Sequence, residues 1–326
     1  MIRPKITGTG SAVPEKVLTN FDLEKMVDTT DEWIVARTGI RERRIAAQGE
    51  YTSTFAALAA QRALDAAGVT AEEIDLIVVG TLTPDFPFPA TACIVQQAIK
   101  APNAFCFDLS AACSGFVYAL ATAEKYILSG QVKKALVIGA EVLSRIVDWS
   151  DRNTCLLFGD GAGAVVLEAT EGENGILSTH MHSDGNYWEI LYQKGAGSRF
   201  PATHQNVDDR MVYLTMQGNE VFKLAVRAMG EVCQEALEAN GLVPDQVKLF
   251  IPHQANRRIV DSVGKRLGIT DERAFVNLDR YGNTSAASIP IALDEAVRAG
   301  RLKQGDILLM TAFGGGLTWG ASVVRW

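Results

Sequence analysis

The fold is indicated by two similar stretches, AAGVTAEEIDLI at 66–77 and ANGLVPDQVKLF at 239–250. Each has the pattern of a helix end, a glycine stop, a short polar loop and an apolar strand. Gly68 and Gly241 are expected just past the helix ends, because glycine readily adopts the left-handed conformation required there. The recurrence about half a chain apart predicts that the protein consists of two duplicated halves.

The similarity extends to both sides of these stretches. Matching helices are predicted at 52–67 and 217–240 and again at 113–129 and 285–299, with strands at 133–142 and 306–313. Apolar strands that alternate with helices predict mainly parallel sheets covered by helices. We place the N-terminal half at 1–172 and the C-terminal half at 173–326. Residues 8–50 are predicted to form a surface cap, and 184–215 an excursion of loops and short strands that has no counterpart in the first half.

Composition excludes several classes of function. A net charge of −7 argues against nucleic acid as the main partner. The sequence has no apolar run that would span a bilayer and no signal-peptide pattern, so we expect a cytoplasmic protein without a membrane partner. Five cysteines without a C-x-x-C pair fit neither a disulfide framework nor a zinc site. His180 and His182 share a strand face but lack a third ligand, so no metal is expected.

Cys113, in FDLSAACSGF at 107–116, is the candidate nucleophile. It is expected at the start of a helix, where the positive end of the helix dipole and unpaired N–H groups favour the thiolate and lower its pKa. The alternative is a buried structural cysteine, which is the commoner fate of a free thiol. The other four cysteines, at 93, 106, 155 and 233, are expected to be small core residues.

Two polar residues are candidate partners of this thiol. His253, in LFIPHQAN, follows a predicted buried strand, and Asn283, in YGNTSAAS, precedes a predicted helix. Each has a structural alternative: His253 as an ordinary packed histidine, and Asn283 as a turn or N-cap residue. The repeat, however, places Cys113 and Asn283 before equivalent helices near the centre, with His253 at the end of an adjacent strand. We therefore expect a nucleophile and two neutral hydrogen-bond donors to converge.

Six motifs along almost the whole chain carry a family resemblance. They are DEWIVARTGIRERR at 31–44, AACSGF at 111–116, LFGDGAGA at 157–164, PHQAN at 252–256, YGNTSAASIP at 281–290 and FGGGLTWG at 313–320. In this order they resemble the β-ketoacyl-acyl carrier protein synthase III family, the initiating condensing enzymes of bacterial-type fatty acid synthesis. The resemblance implies an α/β, thiolase-like fold with two βαβ-type halves and mixed sheets in an α-β-α-β-α layering.

The resemblance also implies a reaction. Cys113 would take the acyl group of an acyl-coenzyme A primer, which the resemblance implies is acetyl-coenzyme A. The backbone N–H groups of Cys113 and Gly315 would form the oxyanion hole. His253 and Asn283 would then stabilise the enolate formed when malonyl-acyl carrier protein loses CO2. No cofactor and no metal are implied, since acyl-coenzyme A is a substrate.

Further site residues follow from the same resemblance. The coenzyme A site would comprise Trp33, Arg37, Arg152 and Asn256. The acyl pocket would comprise Phe88, Leu143, Phe158 and Phe313, with Phe88 reaching into the partner subunit of a homodimer. The acyl carrier protein would dock on a basic face formed by Lys223, Arg257, Arg258, Lys265 and Arg266.

Three other functions are left open by the sequence. One is a related condensing or acyl-transfer enzyme of secondary metabolism with a different primer or acceptor. A degradative thiolase is disfavoured, because Phe313 occupies the place of that family's second cysteine. The third is a non-catalytic acyl-coenzyme A-binding protein, against which the presence of all three polar residues argues.

Overall fold

Two sheets form the frame of the computed structural model, which describes residues 2–326. The first has the order β1-β7-β6-β4-β5 and the second β11-β12-β13-β8. The strands of the first sheet are β1 (Ile2–Ala12), β4 (Leu76–Gly80), β5 (Phe105–Leu109), β6 (Lys134–Glu141) and β7 (Gly161–Glu171). Those of the second are β8 (Gly175–Ser183), β11 (Val247–Pro252), β12 (Ile307–Gly314) and β13 (Thr318–Arg325). Two short ribbons pair β2 (Val17–Thr19) with β3 (Glu42–Arg44) and β9 (Leu191–Gln193) with β10 (Leu214–Met216).

Both sheets are mixed, which confirms what the family resemblance implies, whereas the mainly parallel sheets expected from the alternation of strands and helices are not found. Strand β4 runs parallel to β5 and β6, whereas β7 is antiparallel to β1 and β6. In the second sheet β11 and β12 are parallel, and β13 is antiparallel to β12 and β8. The reason lies in the connections: only three residues, 315–317, join β12 to β13, and so short a link allows a hairpin but not a parallel crossover.

The helices follow the predicted repeat closely. They are α1 (Asn20–Leu23), α2 (Asp31–Thr38), α3 (Thr52–Ala67), α4 (Thr91–Ile99), α5 (Gly115–Leu128), α6 (His204–Asp208), α7 (Gly218–Glu238), α8 (Arg257–Leu267), α9 (Leu278–Tyr281) and α10 (Ser288–Arg298). Gly68 and Gly241 have φ values of 66° and 63°, both in the left-handed region. Gly68 directly follows the end of α3, and Gly241 lies shortly after the end of α7. The predicted glycine stops are thereby confirmed.

The core is arranged in five layers. Helices α5 and α10 lie between the sheets, and their buried side chains pack with Leu76 and Val78 of the first sheet and Leu249 of the second. The opposite face of the first sheet, which carries Ile77 and Val79, packs against α3 and α4. Helices α7 and α8 cover the outer face of the second sheet. The period-2 alternation of strand side chains thus buries both faces of each sheet, and the α-β-α-β-α layering is confirmed.

Glycine allows the two halves to approach closely at the centre. A Cβ on Gly139 of β6 would lie 2.2 Å from the carbonyl oxygen of Ala286, in the short 3-10 turn that precedes α10. Gly80 of β4 makes the equivalent approach to the backbone of Gly115, at the start of α5. The first turns of both central helices are therefore seated on the first sheet, which positions the loops that carry Cys113 and Asn283.

Two further features concern the boundaries of the halves. The division at 172/173 falls between β7, the last strand of the first sheet, and β8, which belongs to the second. The excursion at 184–215 contains a 3-10 turn, β9, α6 and the start of β10. Across residues 2–326, none of the helices combines the length and the hydropathy that crossing a bilayer requires.

Candidate active site

Cys113 lies in a short 3-10 turn between β5 and α5. Cys113 is only 7% exposed, yet it lines a cavity of about 280 Å³ together with His253 and Asn283. The preceding residue, Ala112, has a φ of 46°, a left-handed conformation that is uncommon outside glycine and often marks functional sites. The three residues that the sequence predicts to converge therefore share one cavity.

The ionisation of the thiol differs from the expectation. Burial raises the pKa of Cys113 to about 12, although the nearby Ser285 side chain favours the thiolate and opposes this shift. The nearby carboxylate of Glu141 raises the pKa further. The expectation of a lowered pKa is therefore wrong, because the loss of water around the sulfur raises the pKa of the thiol more than the helix start lowers it.

His253 is held neutral at the end of β11. It is 2% exposed, and burial lowers its pKa to about 3. Its backbone N–H donates to the Thr311 carbonyl over 2.8 Å, and its Nδ1 lies 2.6 Å from the Ser288 hydroxyl. Because this hydroxyl accepts from the Gln254 N–H over 3.4 Å, we assign its proton to the bond with Nδ1. In this tautomer Nδ1 is the acceptor, and Nε2 carries the N–H proton of the neutral ring and is a donor.

Asn283 is fixed by its own loop. Its backbone N–H donates to the Leu157 carbonyl over 2.8 Å, and its Oδ1 accepts from the Ser285 N–H over 2.8 Å. Since the oxygen is occupied, the amide group is left with Nδ2 as its donor, and no acceptor among residues 2–326 holds that nitrogen. His253 and Asn283 thus both supply neutral N–H donors at the cavity that contains the thiol.

The predicted oxyanion-hole groups come from two neighbouring turns. Gly314, the last residue of β12, lies so close to the Cys113 turn that a Cβ on it would be 2.6 Å from the Cys113 nitrogen. Gly315 lines a second cavity, of about 200 Å³, which Cys113 also lines. Thr318 joins the two turns, because its hydroxyl donates to the Ala111 carbonyl over 2.8 Å.

The larger cavity is also lined by the aromatic and basic residues predicted for coenzyme A. Trp33 projects from α2, and the guanidinium carbons of Arg152 and Arg37 lie 4.2 Å and 4.7 Å from its ring centroid. Asn256 caps α8 by accepting from the Arg258 N–H over 2.8 Å, and its Nδ2 donates to the Arg37 carbonyl over 3.1 Å. All four predicted residues line the cavity that contains Cys113.

The predicted acyl-pocket residues divide into two groups. Leu143 and Phe158 line the 200 Å³ cavity beside the thiol, whereas Phe313 lines only the larger one. Phe88 is 85% exposed and lines neither. Its predicted role depends on a second copy of the chain and stays a prediction.

The predicted docking face is less positive than its sequence suggests. Lys223 pairs with Glu220, Arg266 with Glu231, and Arg257 with Asp261 and Asp271. Arg258 is exposed, stacks over Phe222 at 5.2 Å and borders the larger cavity. Lys265 is exposed and, within the described range 2–326, forms no ion pair.

Three polar residues near the thiol were missed by the sequence analysis. Ser288 orients His253, while Ser285 links Asn283 and Cys113 to the buried carboxylate of Glu141. Both serines lie in the YGNTSAAS motif, so their spacing from Asn283 was a usable signal. Glu141 carries no such signal, because an acidic residue at the end of an apolar strand is recognised as buried only in the fold.

The remaining cysteines and histidines show no metal site. Cys155 and Cys233 are buried as expected, but Cys93 is exposed, so its assignment to the core is wrong: it lies on the outer side of α4. His180 and His182 both pair with Glu235, at 3.0 and 2.6 Å. Over residues 2–326 there is no group of three His, Cys, Asp or Glu side chains that could hold a metal ion.

Comparison with known proteins agrees with this geometry. Residues 107–185 match the family described as 3-oxoacyl-[acyl-carrier-protein (ACP)] synthase III, and residues 237–326 match the family of its C-terminal part. The chain is 56% identical to the β-ketoacyl-[acyl-carrier-protein] synthase III of Desulfitobacterium hafniense, over 100% of this chain and 98% of that protein. It is 54% identical to the enzyme of that name from Caldanaerobacter subterraneus, over 98% and 97%.

A solved structure supports the same assignment. The crystal structure of 3-oxoacyl-[acyl-carrier-protein] synthase III from Aquifex aeolicus has a TM-score of 0.93 and 54% identity, and the match covers 99% of this chain and 100% of that one. Two family matches, near-complete relatives above 50% identity and a common fold leave one assignment: the chain belongs to the β-ketoacyl-acyl carrier protein synthase III family.

Proposed function

We propose that this protein joins the acyl group of an acyl-coenzyme A primer to malonyl-acyl carrier protein, with loss of CO2, and so initiates fatty acid synthesis. The observation that carries this function is the shared cavity: the Cys113 thiol, two neutral donors and the Trp33 stack all line it. A nucleophile, a site for a developing oxyanion and a recognition site for a nucleotide-bearing thioester are the parts that acyl transfer requires.

In the first half-reaction Cys113 attacks the primer's thioester carbonyl. The backbone N–H groups of Cys113 and Gly315 stabilise the tetrahedral oxyanion; both residues line the 200 Å³ cavity, which supports this role. Coenzyme A leaves, and the acyl group stays on the sulfur. The mostly apolar 200 Å³ cavity, with Leu143 and Phe158 in its wall, receives the acyl chain.

Coenzyme A itself is recognised by the aromatic and basic residues that line the larger cavity. Trp33 offers a flat ring, and Arg152 and Arg37 offer cations that stack on it. Arg152 lies directly on the ring, so an adenine that stacks on Trp33 displaces this guanidinium from the indole. Asn256 lines the same cavity as Trp33 and Cys113 and contacts the pantetheine arm.

In the second half-reaction the malonyl thioester loses CO2, and negative charge develops on its thioester oxygen. His253 and Asn283 donate hydrogen bonds to this oxygen through Nε2 and Nδ2. The low pKa of His253, about 3, keeps the ring neutral at physiological pH. A charged imidazolium would form a salt bridge to the malonyl carboxylate, which must leave as CO2, whereas the neutral ring avoids this ion pair and still donates a hydrogen bond to the enolate. The enolate carbon then attacks the acyl-Cys113 carbonyl and forms the carbon–carbon bond.

The experiment measures the two half-reactions separately on the purified chain. Incubation with acetyl-coenzyme A should give a protein mass increased by one acetyl group, located on Cys113 by peptide mapping, and Cys113→Ala should not be labelled. Addition of malonyl-acyl carrier protein to the acetyl-enzyme should release CO2 and form 3-oxobutyryl-carrier protein. His253→Gln should still be acetylated, but condensation should slow by about a hundredfold or more, as when one oxyanion donor is removed.

A panel of acetyl, longer straight and branched acyl-coenzyme A primers separates the proposed reaction from its alternatives. Turnover with another primer but not with acetyl would favour a condensing enzyme of secondary metabolism. Ligand that binds without labelling Cys113 would favour an acyl-coenzyme A-binding protein. Failure of every primer to acylate Cys113 would overturn the proposal.

A further inference from the structure

Glu141 is a buried carboxyl group for which the proposed reaction has no role. It is the last residue of β6, it is fully buried, and no Lys, Arg or His of residues 2–326 pairs with it. Instead it accepts hydrogen bonds from the hydroxyl of Thr83 over 2.6 Å, the hydroxyl of Thr81 over 3.2 Å and the N–H of Leu82 over 3.2 Å. Burying an unpaired carboxylate is costly, so its presence beside a nucleophile requires an explanation.

A further donor connects this carboxyl group to the reacting thiol. The Ser285 hydroxyl donates to Glu141 Oε1 over 3.1 Å. The same side chain lies close enough to the Cys113 sulfur to favour its thiolate form. Ser285 has a φ of 48°, an uncommon left-handed conformation, and the next residue of its turn, Ala286, lies against Gly139 of β6. Ser285 and Cys113 also line the same 200 Å³ cavity. The order of contacts is therefore thiol, hydroxyl, carboxylate.

We propose that Glu141 removes the proton of Cys113 through the Ser285 hydroxyl and so generates the attacking thiolate. The thiol proton moves to Ser285 Oγ while the hydroxyl proton of Ser285 moves to Glu141 Oε1. One S–H and one O–H bond break, two O–H bonds form, and the negative charge moves from the carboxylate to the sulfur. Glu141 is a positioning residue in this scheme, because it acts on the thiol only through Ser285. The scheme rests on the proposed role of Cys113 as nucleophile.

Electrostatics favours this transfer over loss of the proton to water. Ionising the thiol while Glu141 is charged would place two negative charges in one buried cluster, and this repulsion is one reason that the pKa of Cys113 is high. Transfer along the relay keeps the charge of the cluster constant, so no additional charge has to be buried. Burial raises the pKa of Glu141 to about 7, close to the pH at which a general base works best.

The relay also closes the catalytic cycle. Coenzyme A leaves as a thiolate and takes a proton from solvent, so Glu141 stays neutral while the acyl group is on Cys113. When the carbon–carbon bond forms, Cys113 leaves as a thiolate, and the reverse transfer through Ser285 restores the thiol and the carboxylate. One proton is taken up per turnover, which balances the loss of the malonyl carboxylate as CO2.

The test is the pH profile of Cys113 alkylation by iodoacetamide, between about pH 5.5 and 9, with no substrate present. In the wild-type protein the rate should rise as Glu141 ionises near pH 7 and then level off. Ser285→Ala removes only the hydroxyl link, because its backbone N–H still donates to Asn283. In this variant the inflection near pH 7 should disappear, and the rate should increase steadily with pH. Each unit by which the effective pKa of the thiol rises lowers the thiolate fraction about tenfold.

Two further variants separate a relay from a structural role. Thr81→Val removes one hydrogen bond to Glu141 but leaves the Ser285 link, so the inflection should persist, displaced toward higher pH. Glu141→Gln should lose the inflection as Ser285→Ala does. If Glu141 only repels the thiolate, Glu141→Gln will instead react faster than the wild-type protein above pH 7, where Glu141 is charged, and the proposal is wrong. An unchanged profile in Ser285→Ala would overturn it as well.

The result is independent of the test of the proposed function. Alkylation needs neither acyl-coenzyme A nor carrier protein, so the relay can fail while acetylation of Cys113 still succeeds. Conversely, an intact inflection near pH 7 with no acylation by any primer would leave the relay standing and refute the synthase activity.

Discussion

At the scale of single residues, the site depends on how burial changes proton affinity. His253 has a pKa lowered to about 3 in the folded chain, against an ordinary value of 6.5 when unfolded. Between these two values the unfolded chain binds one proton more than the folded chain, so the free energy of unfolding rises with pH in this window. The contribution of neutral His253 to the free energy of unfolding is fully present above pH 6.5 and is lost progressively as the pH falls below this value.

The corresponding prediction compares the wild-type protein with His253→Gln at pH 7.5 and pH 5.5. The wild-type protein should lose about 1.4 kcal/mol of unfolding free energy that the variant does not lose, since pH 5.5 lies about one unit below the unfolded pKa. Denaturation midpoints of both proteins at both pH values measure this difference, and all other titrating groups are common to the pair. Equal losses would mean that His253 takes up a proton inside the folded site and is not held neutral.

Residue identities at the site were predictable from sequence, but their energetics were not. The repeat placed Cys113, His253 and Asn283 near one another, and they line one cavity. The direction of the thiol's pKa shift was wrong, because helix position is visible in a sequence whereas desolvation depends on what covers the sulfur. Glu141 escaped notice for the same reason: its burial results from packing between a strand and a turn 144 positions further along the chain.

At the scale of elements, the site is assembled by two helix starts seated on one sheet. Helix boundaries were predicted well, since glycine stops and apolar periodicity are local signals. Strand direction was not, because it depends on whether the following connection is a hairpin or a crossover. The close approach of the Ala286 turn to Gly139 was likewise invisible, since any small residue would fit a buried strand pattern.

This approach predicts a strong effect from one methyl group. In Gly139→Ala the new Cβ would overlap the Ala286 carbonyl oxygen, 2.2 Å away, so the turn that carries Ser285 must move off the sheet. We expect a loss of about 1–3 kcal/mol in unfolding free energy, the usual cost of overpacking, together with slower alkylation of Cys113. Gly197→Ala is the matched control, because a Cβ there would meet no atom within 4 Å. Equal stabilities of the two variants would show that the turn is not held by this contact.

At the scale of the whole molecule, the carrier protein has to approach a chain whose net charge is −7. We propose that an acidic carrier protein docks on the unpaired positive charge of α8, at Arg258, which borders the larger cavity, and at Lys265, two turns further along the helix. Ion pairs within the chain already occupy Lys223, Arg257 and Arg266. The sequence count of basic residues therefore overstates the attraction, and Arg258 and Lys265 should contribute most of it.

Lys265→Ala should therefore raise the KM for malonyl-acyl carrier protein about two- to fivefold, as expected for an exposed charge pair worth up to about 1 kcal/mol. The KM for acetyl-coenzyme A should not change, because Lys265 does not line the cavity. Added salt should raise the KM for malonyl-acyl carrier protein more in the wild-type protein than in the variant, because salt screens the charge of Lys265 and the variant lacks this charge. Lys133→Ala is the matched control: Lys133 is exposed and precedes β6, at the opposite end of that strand from Glu141. If both variants change the carrier KM alike, the attraction is a property of overall charge, and α8 is not the docking helix.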